Sequence, residues 1–456
     1  MEEFPLFRAA DPTALIACRA GCPVTVGRLL QDAQWLARRL PRAAYQVNLC
    51  EDRYLFLVGL AAALTLEQTL LLPPSRAPDD LLDLRGRHPS IYCLSDRPGD
   101  CAGLDGHRLD GLPDSLGDDY PALLRVPSHQ PLAVLHTSGS TGTGTVHVKL
   151  WGTMYRGAEL IGARLGLGHL AGASMLATVP PQHMYGLETS ILLPLRWGLS
   201  VAAEQPLFSA DIGAALDRLP PPRILVTTPL HLRSCLVEGA RLPDLAFILS
   251  ATAPLAAEIA QQAEQRYHTR VLEIYGSTET GAVATRRPSI EANWEPLPGV
   301  VLQRRDGRFS FAGGHLPEAV AVGDRLEPQP DGRFRLIGRD SDLIKIAGKR
   351  ASLADLNRRL LEIEGVADGV FFLPEGGRAG TTRLACLVVA PTLEEPEVLA
   401  ELRRKLVAAF LPRPLLRVDS LPRTATGKLP RQALLDLFDS LSRRDDRESP
   451  PCHRES

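Results

Sequence analysis

Residues 132–144, LAVLHTSGSTGTG, join a short apolar run to a loop rich in glycine and hydroxyl groups. The run Leu132–His136 predicts a buried strand, and the loop Thr137–Gly144 follows it without a break. Glycines let the backbone curl, so that successive N–H groups and hydroxyls can point at phosphate oxygens. No Gly-Lys-Ser/Thr triplet follows at the spacing of a Walker A loop, which excludes that motif. Taken alone, the pattern fits a flexible surface loop better than a phosphate site.

Similar apolar runs alternate with helical patterns on both sides of this loop. The predicted strands are Leu132–His136, Ser174–Val179, Ile224–Thr228, Leu245–Ser250 and Val271–Tyr275. The predicted helices include Thr25–Leu40, Tyr54–Leu66, Gly157–Leu165, Ala210–Leu219 and Ala256–Tyr267. This alternation predicts an α/β fold, in which helices pack on layered and largely parallel sheets.

The pattern changes after Pro298 and predicts a second, smaller domain. Val300–Phe311 and Gly332–Ile337 resemble hairpin strands with Asp-Gly turns, and a mixed pattern of helices and strands follows them. We expect an N-terminal α/β domain over residues 1–338 and an α+β domain over residues 339–441. The charged tail, residues 442–456, is almost free of apolar side chains and is expected to be disordered.

The composition argues against several classes of function. The 456 residues carry a formal net charge of -2 and 5% aromatic side chains, which disfavours binding to nucleic acid or to an anionic membrane. The longest apolar stretch, Tyr54–Leu66, is too short to span a bilayer, and residues 1–10 lack a leader pattern. We therefore expect a cytoplasmic protein without nucleic-acid or membrane partners. The eight cysteines are scattered without zinc-site spacing, so we expect reduced thiols.

Three further polar blocks follow the glycine-rich loop. Residues 275–281, YGSTETG, come directly after a predicted strand, where hydroxyls and a carboxylate suit nucleotide and Mg²⁺ binding. Residues 338–350 read GRDSDLIKIAGKR, and residues 421–431 read LPRTATGKLPR. Each block alone is also compatible with an ordinary solvated turn, hairpin or loop.

Together, the four blocks and Gly323-Asp324 have the order and spacing of a known family. From about Leu132 to Leu435 the chain resembles the adenylate-forming superfamily, which includes acyl- and aryl-CoA synthetases, adenylation domains of peptide synthetases and firefly luciferase. The resemblance implies that a small-molecule carboxylic acid is activated with ATP and Mg²⁺ to its acyl-AMP, with release of pyrophosphate. The acyl group would then pass to a thiol, either of coenzyme A or of a phosphopantetheinylated acyl carrier protein.

The resemblance also implies roles for particular residues in the large domain. Tyr275 would lie against adenine beside Gly276, Thr278 would lie near the α-phosphate, and Glu279 would help to hold Mg²⁺. The ATP phosphates would be held by the loop residues Thr137, Ser138, Gly139, Ser140, Thr141 and Gly142.

Residues around and beyond the domain boundary complete the implied site. Asp324 would accept hydrogen bonds from the ribose hydroxyls, with Arg339 assisting. Lys428 would bridge the attacking carboxylate and the ribose–phosphate oxygens, where a cation stabilises converging negative charge. In a second pose of the small domain, Lys345 would lie in a loop beside a tunnel for the thiol.

The sequence departs from the family pattern at two positions. The usual lysine of the phosphate loop is missing after Gly142, so either Lys149 supplies the cation or the backbone and Mg²⁺ suffice. Ser341 stands at the hinge position, where the family usually has Asp or Lys. These departures leave open an alternative, a nucleotide-binding regulatory module that has lost catalysis.

The acid is constrained by the segment Thr178–Glu188, TVPPQHMYGLE. This segment and the short N-terminal region resemble the AMP-ligases of aryl-polyene pigment clusters, which load hydroxybenzoate-type or related acids onto a carrier protein. His183 stands where relatives carry a gating residue, and a structural role for it stays open. No Asp occurs over residues 172–206 to pair with an α-ammonium, which disfavours an amino acid. A fatty acid remains an alternative substrate.

Overall fold

The chain divides into two units, each with its own core. The computed structural model describes residues 2–8, 11–73, 76–101, 103–109, 111–117, 119–137, 145–305, 307–339, 343–346, 349–374, 383–424, 427 and 429–448. The first unit comprises Met1–Val322 and Pro328–Arg335, and the second comprises Gly323–Glu327 and Leu336–Ser456. Gly323–Glu327, which the sequence assigns to the large domain, is therefore grouped with the second unit. The domain boundary at residue 339 stays a prediction.

The strands are numbered in chain order. They are β1 (Glu3–Pro5), β2 (Leu15–Arg19), β3 (Cys22–Thr25), β4 (Tyr45–Asn48), β5 (Thr69–Leu72), β6 (Ile91–Ser95), β7 (Gly106–Arg108), β8 (Arg125–Pro127), β9 (Pro131–Thr137), β10 (Thr145–Leu150), β11 (Ser174–Ala177), β12 (Ser200–Ala202), β13 (Arg223–Thr227), β14 (Phe247–Ser250), β15 (Arg270–Ser277), β16 (Gly281–Arg286), β17 (Glu295–Pro296), β18 (Val300–Arg305), β19 (Arg308–Gly313), β20 (Leu316–Ala321), β21 (Asp324–Pro328), β22 (Phe334–Arg339), β23 (Leu343–Ile346), β24 (Lys349–Ser352), β25 (Asp368–Phe372), β26 (Ala385–Val389) and β27 (Leu415–Arg417).

The helices are numbered in the same way. The α-helices are α1 (Val26–Ala37), α2 (Arg53–Thr65), α3 (Pro78–Arg87), α4 (Trp151–Leu165), α5 (Met184–Leu187), α6 (Leu193–Trp197), α7 (Ser209–Asp217), α8 (Pro229–Val237), α9 (Ala257–Tyr267), α10 (Leu353–Leu361), α11 (Glu395–Lys405) and α12 (Arg431–Glu448). A π-helical stretch, Glu188–Leu192, joins α5 to α6.

A nine-stranded sheet forms the centre of the first unit, in the order β17-β16-β15-β14-β13-β11-β12-β2-β3. Its central strands run parallel, from β2 through β15 along this order. Strands β13 and β14 are almost wholly buried, as expected when helices cover both faces of a parallel sheet. A six-stranded sheet of the same unit has the order β10-β9-β5-β4-β6-β7. The predicted α/β fold class is therefore confirmed.

The apolar segment that contains Tyr54 is a buried helix, as the sequence predicts. Every residue of α2 from Arg53 to Leu64 is buried, and Asp52 caps the helix by accepting from the N–H groups of Tyr54 and Leu55 at 2.9 and 3.1 Å. The buried Arg53 guanidinium donates to the carbonyl oxygen of Val179 at 2.6 Å, so α2 is fastened to the end of β11. Within the described ranges, every helix is too short or too polar to cross a bilayer.

The second unit contains the three-stranded sheet β25-β26-β27 and the helices α10, α11 and α12. Leu356, Leu360, Val398 and Leu402 belong to its buried core. Helix α12 continues to Glu448, past the expected start of the disordered tail at Ser442, and the disorder of the tail stays a prediction. Residues 449–456 lie outside the described part of the chain.

The expectation of reduced thiols is wrong at one pair of cysteines. Cys93 on β6 is bonded to Cys101, and their Cα atoms are 5.6 Å apart, within the usual range for a disulfide. Cys18, Cys22, Cys50, Cys235 and Cys386 are free.

Candidate active site

Polar side chains gather where adjacent parallel strands of the nine-stranded sheet end. Thr178 follows β11, and Thr227 ends β13, with their hydroxyl oxygens 3.0 Å apart. Ser250 ends β14, and its hydroxyl is buried without a hydrogen-bond partner in the part of the chain that the structure describes. Ligands of open α/β sheets bind outside the carboxyl ends of the strands. The local arrangement therefore marks this edge as a candidate binding site.

A tight turn joins β15 to the antiparallel strand β16 at the same edge. The N–H of Ser277 donates to the Thr280 hydroxyl at 3.1 Å, and the N–H of Thr280 donates to the Ser277 hydroxyl at 3.2 Å. A Cβ atom on Gly276 would lie 2.2 Å from the carbonyl oxygen of Gly281, and Gly281 itself has a φ of +66°. Glycine is thus required at both positions for the turn to close. We call Ser277–Ala282 the acidic turn, because it carries Glu279.

Glu279 presents a partly exposed carboxylate from this turn, and its Oε1 lies 3.5 Å from Nε2 of His147. Burial raises the pKa of Glu279. Hydrogen bonds from Ser277 and from its own backbone lower the pKa, as do the charges of His147 and Lys149, and together they outweigh burial, so the pKa lies below its usual value. The carboxylate is therefore ionised at neutral pH. Among the described residues, no group of three or more His, Cys, Asp or Glu side chains could hold a metal by itself.

Strand β10 turns its polar side chains inward and its apolar side chains outward. Val146 and Val148 are 50% and 53% exposed, whereas Lys149 is 6% exposed. Lys149 Nζ donates to the carbonyl oxygen of Glu279 at 2.6 Å. Burial lowers the pKa of Lys149, while the negative charges of Glu188 and Glu279 act to raise it. Lys149, expected at the phosphates, thus contacts the backbone of the acidic turn.

Tyr275, expected against adenine, is packed among other aromatic rings and is 8% exposed. Its ring centroid lies 5.4 Å from that of Trp294, 6.0 Å from that of Phe311 and 5.6 Å from that of Phe334. Such tilted packing fixes the ring and the end of β15. The adenine contact of Tyr275 stays a prediction.

Two histidines lie beside the ends of β11 and β13. His183 is the N-cap of α5, and its Nδ1 accepts from the N–H of Tyr185 at 3.3 Å. This contact is structural, and the gating role of His183 stays a prediction. His231 in α8 has Nδ1 2.9 Å from the Thr178 hydroxyl and 3.2 Å from the Thr228 hydroxyl. Burial lowers the pKa of His231 to about 4, so the ring is neutral at pH 7.

Other expected site residues are located only in part. Thr137 ends β9, Arg339 ends β22 and Lys345 lies in β23, but the structure does not describe their side chains. Asp324 begins β21 in the second unit. The expected residues outside the described ranges are Ser138, Gly139, Ser140, Thr141, Gly142, Ser341 and Lys428. Their roles stay predictions.

The residue before Lys428 is held within the second unit. Arg423 donates from Nη1 to the carbonyl oxygen of Gly427 at 2.8 Å. The same guanidinium binds both carboxylate oxygens of Asp368, at 2.6 and 2.7 Å. A bidentate pair of this kind fixes the guanidinium plane, and therefore restrains one end of the segment that carries the lysine.

Three residues of the site were not predicted from the sequence: His147, Glu188 and His231. Glu188 is buried, and its Oε1 accepts from the N–H of Ala282 at 3.0 Å. Burial raises the pKa of Glu188 to about 7. The sequence shows that valines alternate with His147 and Lys149. Only the fold shows that the two basic side chains, and not the two valines, face inward.

Comparisons with known proteins agree with this fold. The model of the AMP-binding enzyme family matches residues 34–309. A 4-coumarate–CoA ligase of Halorhodospira halophila is 30% identical over 327 residues, which cover 69% of this chain and 79% of that protein.

Solved structures are similar over nearly the whole chain. The o-succinylbenzoate CoA synthetase of Bacillus subtilis, in complex with its acyl-adenylate intermediate, gives a TM-score of 0.79 at 18% identity and covers 96% of this chain and 98% of that chain. The same enzyme in complex with ATP and a magnesium ion gives 0.77 at 18% identity, over 95% and 100% of the chains. At this identity the likeness shows the fold alone.

Proposed function

The chain belongs to the AMP-binding enzyme family, and on that premise we propose that it is an acid–thiol ligase. It would adenylate a carboxylic acid with ATP, release pyrophosphate and transfer the acyl group to a phosphopantetheine thiol. The observation that carries the proposal is the ionised Glu279 in a tight turn at the carboxyl end of a parallel sheet.

The acidic turn fits a magnesium–nucleotide complex. Mg²⁺ usually binds through one or two carboxylates and takes its other ligands from phosphate oxygens and water. A single ionised carboxylate, Glu279, meets that need without a wider cluster of acidic residues. When bound, the ion neutralises phosphate charge and favours attack at the α-phosphorus. The charges of His147 and Lys149 help to lower the pKa of Glu279, which favours the ionised form of the carboxylate.

The acid needs no general base, because a carboxylic acid is already ionised near neutral pH. Its carboxylate oxygen would attack the α-phosphorus, the bond to the β-phosphate oxygen would break, and pyrophosphate would leave. The thiol sulfur would then attack the acyl carbonyl carbon and expel AMP, while the thiol proton passes to water. Lys428 is proposed to stabilise the first step through its positive charge, and Thr278 to contact the α-phosphate.

We place the acid beside His183 and His231. The Thr228 hydroxyl accepts from the N–H of His231 at 3.3 Å, so its own proton can be donated to Nδ1 of the ring. The neutral ring then carries its proton on Nε2, which can donate to a hydroxyl or carbonyl oxygen of the acid. A donor of this kind favours a hydroxybenzoate- or cinnamate-type acid over an unsubstituted fatty acid. The 4-coumarate relative supports the same class.

A pyrophosphate-release screen over hydroxybenzoates, cinnamates, fatty acids and amino acids tests the proposal. We expect release with aromatic acids that carry a polar ring substituent, and none with amino acids. ATP binding without turnover across the panel would contradict the proposal and favour a regulatory nucleotide-binding module.

The acceptor is tested with the best acid from that screen. The reaction is run in parallel with coenzyme A and with a phosphopantetheinylated carrier protein, and thioester is measured. Product with coenzyme A alone would contradict the carrier-protein assignment that the aryl-polyene resemblance implies, whereas product with the carrier alone would support it.

A further inference from the structure

The acidic turn is held from three sides by buried polar groups on separate elements of the first unit. Lys149 from β10 donates to the carbonyl oxygen of Glu279 at 2.6 Å. His315, between β19 and β20, has Nε2 3.0 Å from the carbonyl oxygen of Thr280 and therefore donates to it. Glu188 accepts from the N–H of Ala282 at 3.0 Å. Three successive peptide groups are thus fixed by side chains remote in sequence.

Lys149 and Glu188 are ionisable side chains, and groups of this kind are costly to bury in their charged forms. Each residue is 6% exposed, and a neutral donor such as His315 would satisfy a carbonyl oxygen equally well. A methionine at 149 would also fill the space of the lysine stem. Buried ionic groups are seldom a net gain for stability, so the pair needs another explanation.

The surroundings of the pair point to the nucleotide site. Lys149 donates to the backbone carbonyl of Glu279, the residue proposed to help hold Mg²⁺. Glu188 lies in a π-helical stretch, a distortion that is often found at functional sites. Its Oε1 would be only 2.6 Å from a Cβ atom on Gly281, so glycine there permits the close approach.

The inverted pattern of β10 supports the same conclusion. This edge strand exposes Val146 and Val148 to solvent and turns His147 and Lys149 towards Glu279. Local rules of patterning are broken mainly where function requires it. The exposed valines are therefore a consequence of the two basic side chains that face the acidic turn.

We propose that Lys149 and Glu188 are a buried lysine–glutamate pair of positioning residues that fixes the acidic turn and aims the Glu279 carboxylate. The inference rests on the proposed function, since it concerns the same nucleotide site. It differs from the expected role of Lys149 as a phosphate ligand, because here the ammonium acts on the peptide backbone of the turn. Glu188 acts in the same way, through the N–H of Ala282.

Nucleotide binding to the full-length protein tests the proposal without knowledge of the acid. Calorimetry with ATP and with AMP, at several Mg²⁺ concentrations, is compared for Lys149→Met, Glu188→Gln and the double variant. Lys405→Met removes a lysine charge from α11 in the second unit and serves as the control. If Lys149→Met does not fold, Lys149→Gln keeps a donor and removes only the charge.

A positioning role predicts that Lys149→Met weakens ATP and AMP binding by a similar factor, tenfold or more, and raises the Mg²⁺ needed for half-maximal ATP binding. The double variant should bind no worse than Lys149→Met. Once Lys149 is gone, Glu188 has lost its partner, so replacing Glu188 as well costs little more. Lys405→Met should bind as the unchanged protein does.

Three results with the variants would overturn the inference. Loss of ATP binding at saturating Mg²⁺, with AMP binding intact, would make Lys149 a ligand of the outer phosphates. Additive losses in the double variant would show two independent residues, and unchanged binding would show no role. An unchanged protein that binds nucleotide but activates no acid would refute the proposed function and leave this inference standing, whereas one that binds no nucleotide would refute both.

Discussion

Replacing Glu188 with glutamine should change how the stability of the first unit depends on pH. Glutamine keeps an oxygen that can accept from the N–H of Ala282, but it cannot ionise. The pKa of Glu188 is raised from 4.5 to about 7 in the folded protein, chiefly by burial. Between these values the native state holds a proton that the unfolded chain releases, so the carboxyl group favours folding fully only below about pH 4.5.

The sign and size of the effect follow from that difference. As pH rises from 4.5 through 7, the unchanged protein loses the contribution of Glu188, and the loss amounts to roughly 3 kcal/mol because each pKa unit corresponds to about 1.4 kcal/mol. Glu188→Gln lacks this loss. The free energy of unfolding of the unchanged protein should therefore fall relative to that of the variant by roughly 3 kcal/mol between pH 4.5 and 8.

Urea unfolding followed by tryptophan fluorescence provides the assay. All four tryptophans, Trp35, Trp151, Trp197 and Trp294, lie in the first unit, so the signal reports the unit that contains Glu188. At any one pH, the difference in free energy of unfolding between the two proteins includes the attraction to Lys149 that the variant has lost. The test is therefore how this difference changes with pH. A difference that stays constant from pH 4.5 to 8, or that changes in the opposite direction, would refute the reasoning.

Other predictions concern the remaining parts of the site. His231→Leu should raise the KM for the acid severalfold while leaving the KM for ATP unchanged. Burial lowers the pKa of His231 to about 4, so the unchanged protein loses stability as pH falls from 6.5 to 4, and in urea titrations the variant should lose less. Gly276→Ala should weaken ATP binding at least tenfold in calorimetry, since its Cβ atom would meet the carbonyl oxygen of Gly281, whereas Gly86→Ala, with open space around it, should bind normally. Lys428→Ala should abolish acid-dependent ATP–pyrophosphate exchange but spare thioester formation from supplied acyl-AMP, and equal exchange in both proteins would remove Lys428 from the mechanism.

The parallel strands were predictable because their sequences are continuous apolar runs. The run Ile224–Thr228 corresponds to β13, and Leu245–Ser250 corresponds to β14 with a later start. A strand that is buried on both faces needs no partner information to be identified. The acidic turn was located for the same reason, since it directly follows such a strand at β15.

The environment of the acidic turn depends on contacts between distant residues and was not predictable. Glu188 precedes Ala282 by 94 positions, and Lys149 precedes Glu279 by 130. Their spacing along the chain carries no trace of these contacts. The packing of Tyr275 among three aromatic rings likewise joins separate strands, and the bond between Cys93 and Cys101 depends on the geometry after β6.

Oxygen transfer from the acid to AMP tests the central claim most directly. With an acid labelled with ¹⁸O in its carboxylate, attack on the α-phosphorus and later expulsion of AMP by the thiol should leave one labelled oxygen in AMP, as read by mass spectrometry. Unlabelled AMP, or label in inorganic phosphate together with ADP, would contradict the account.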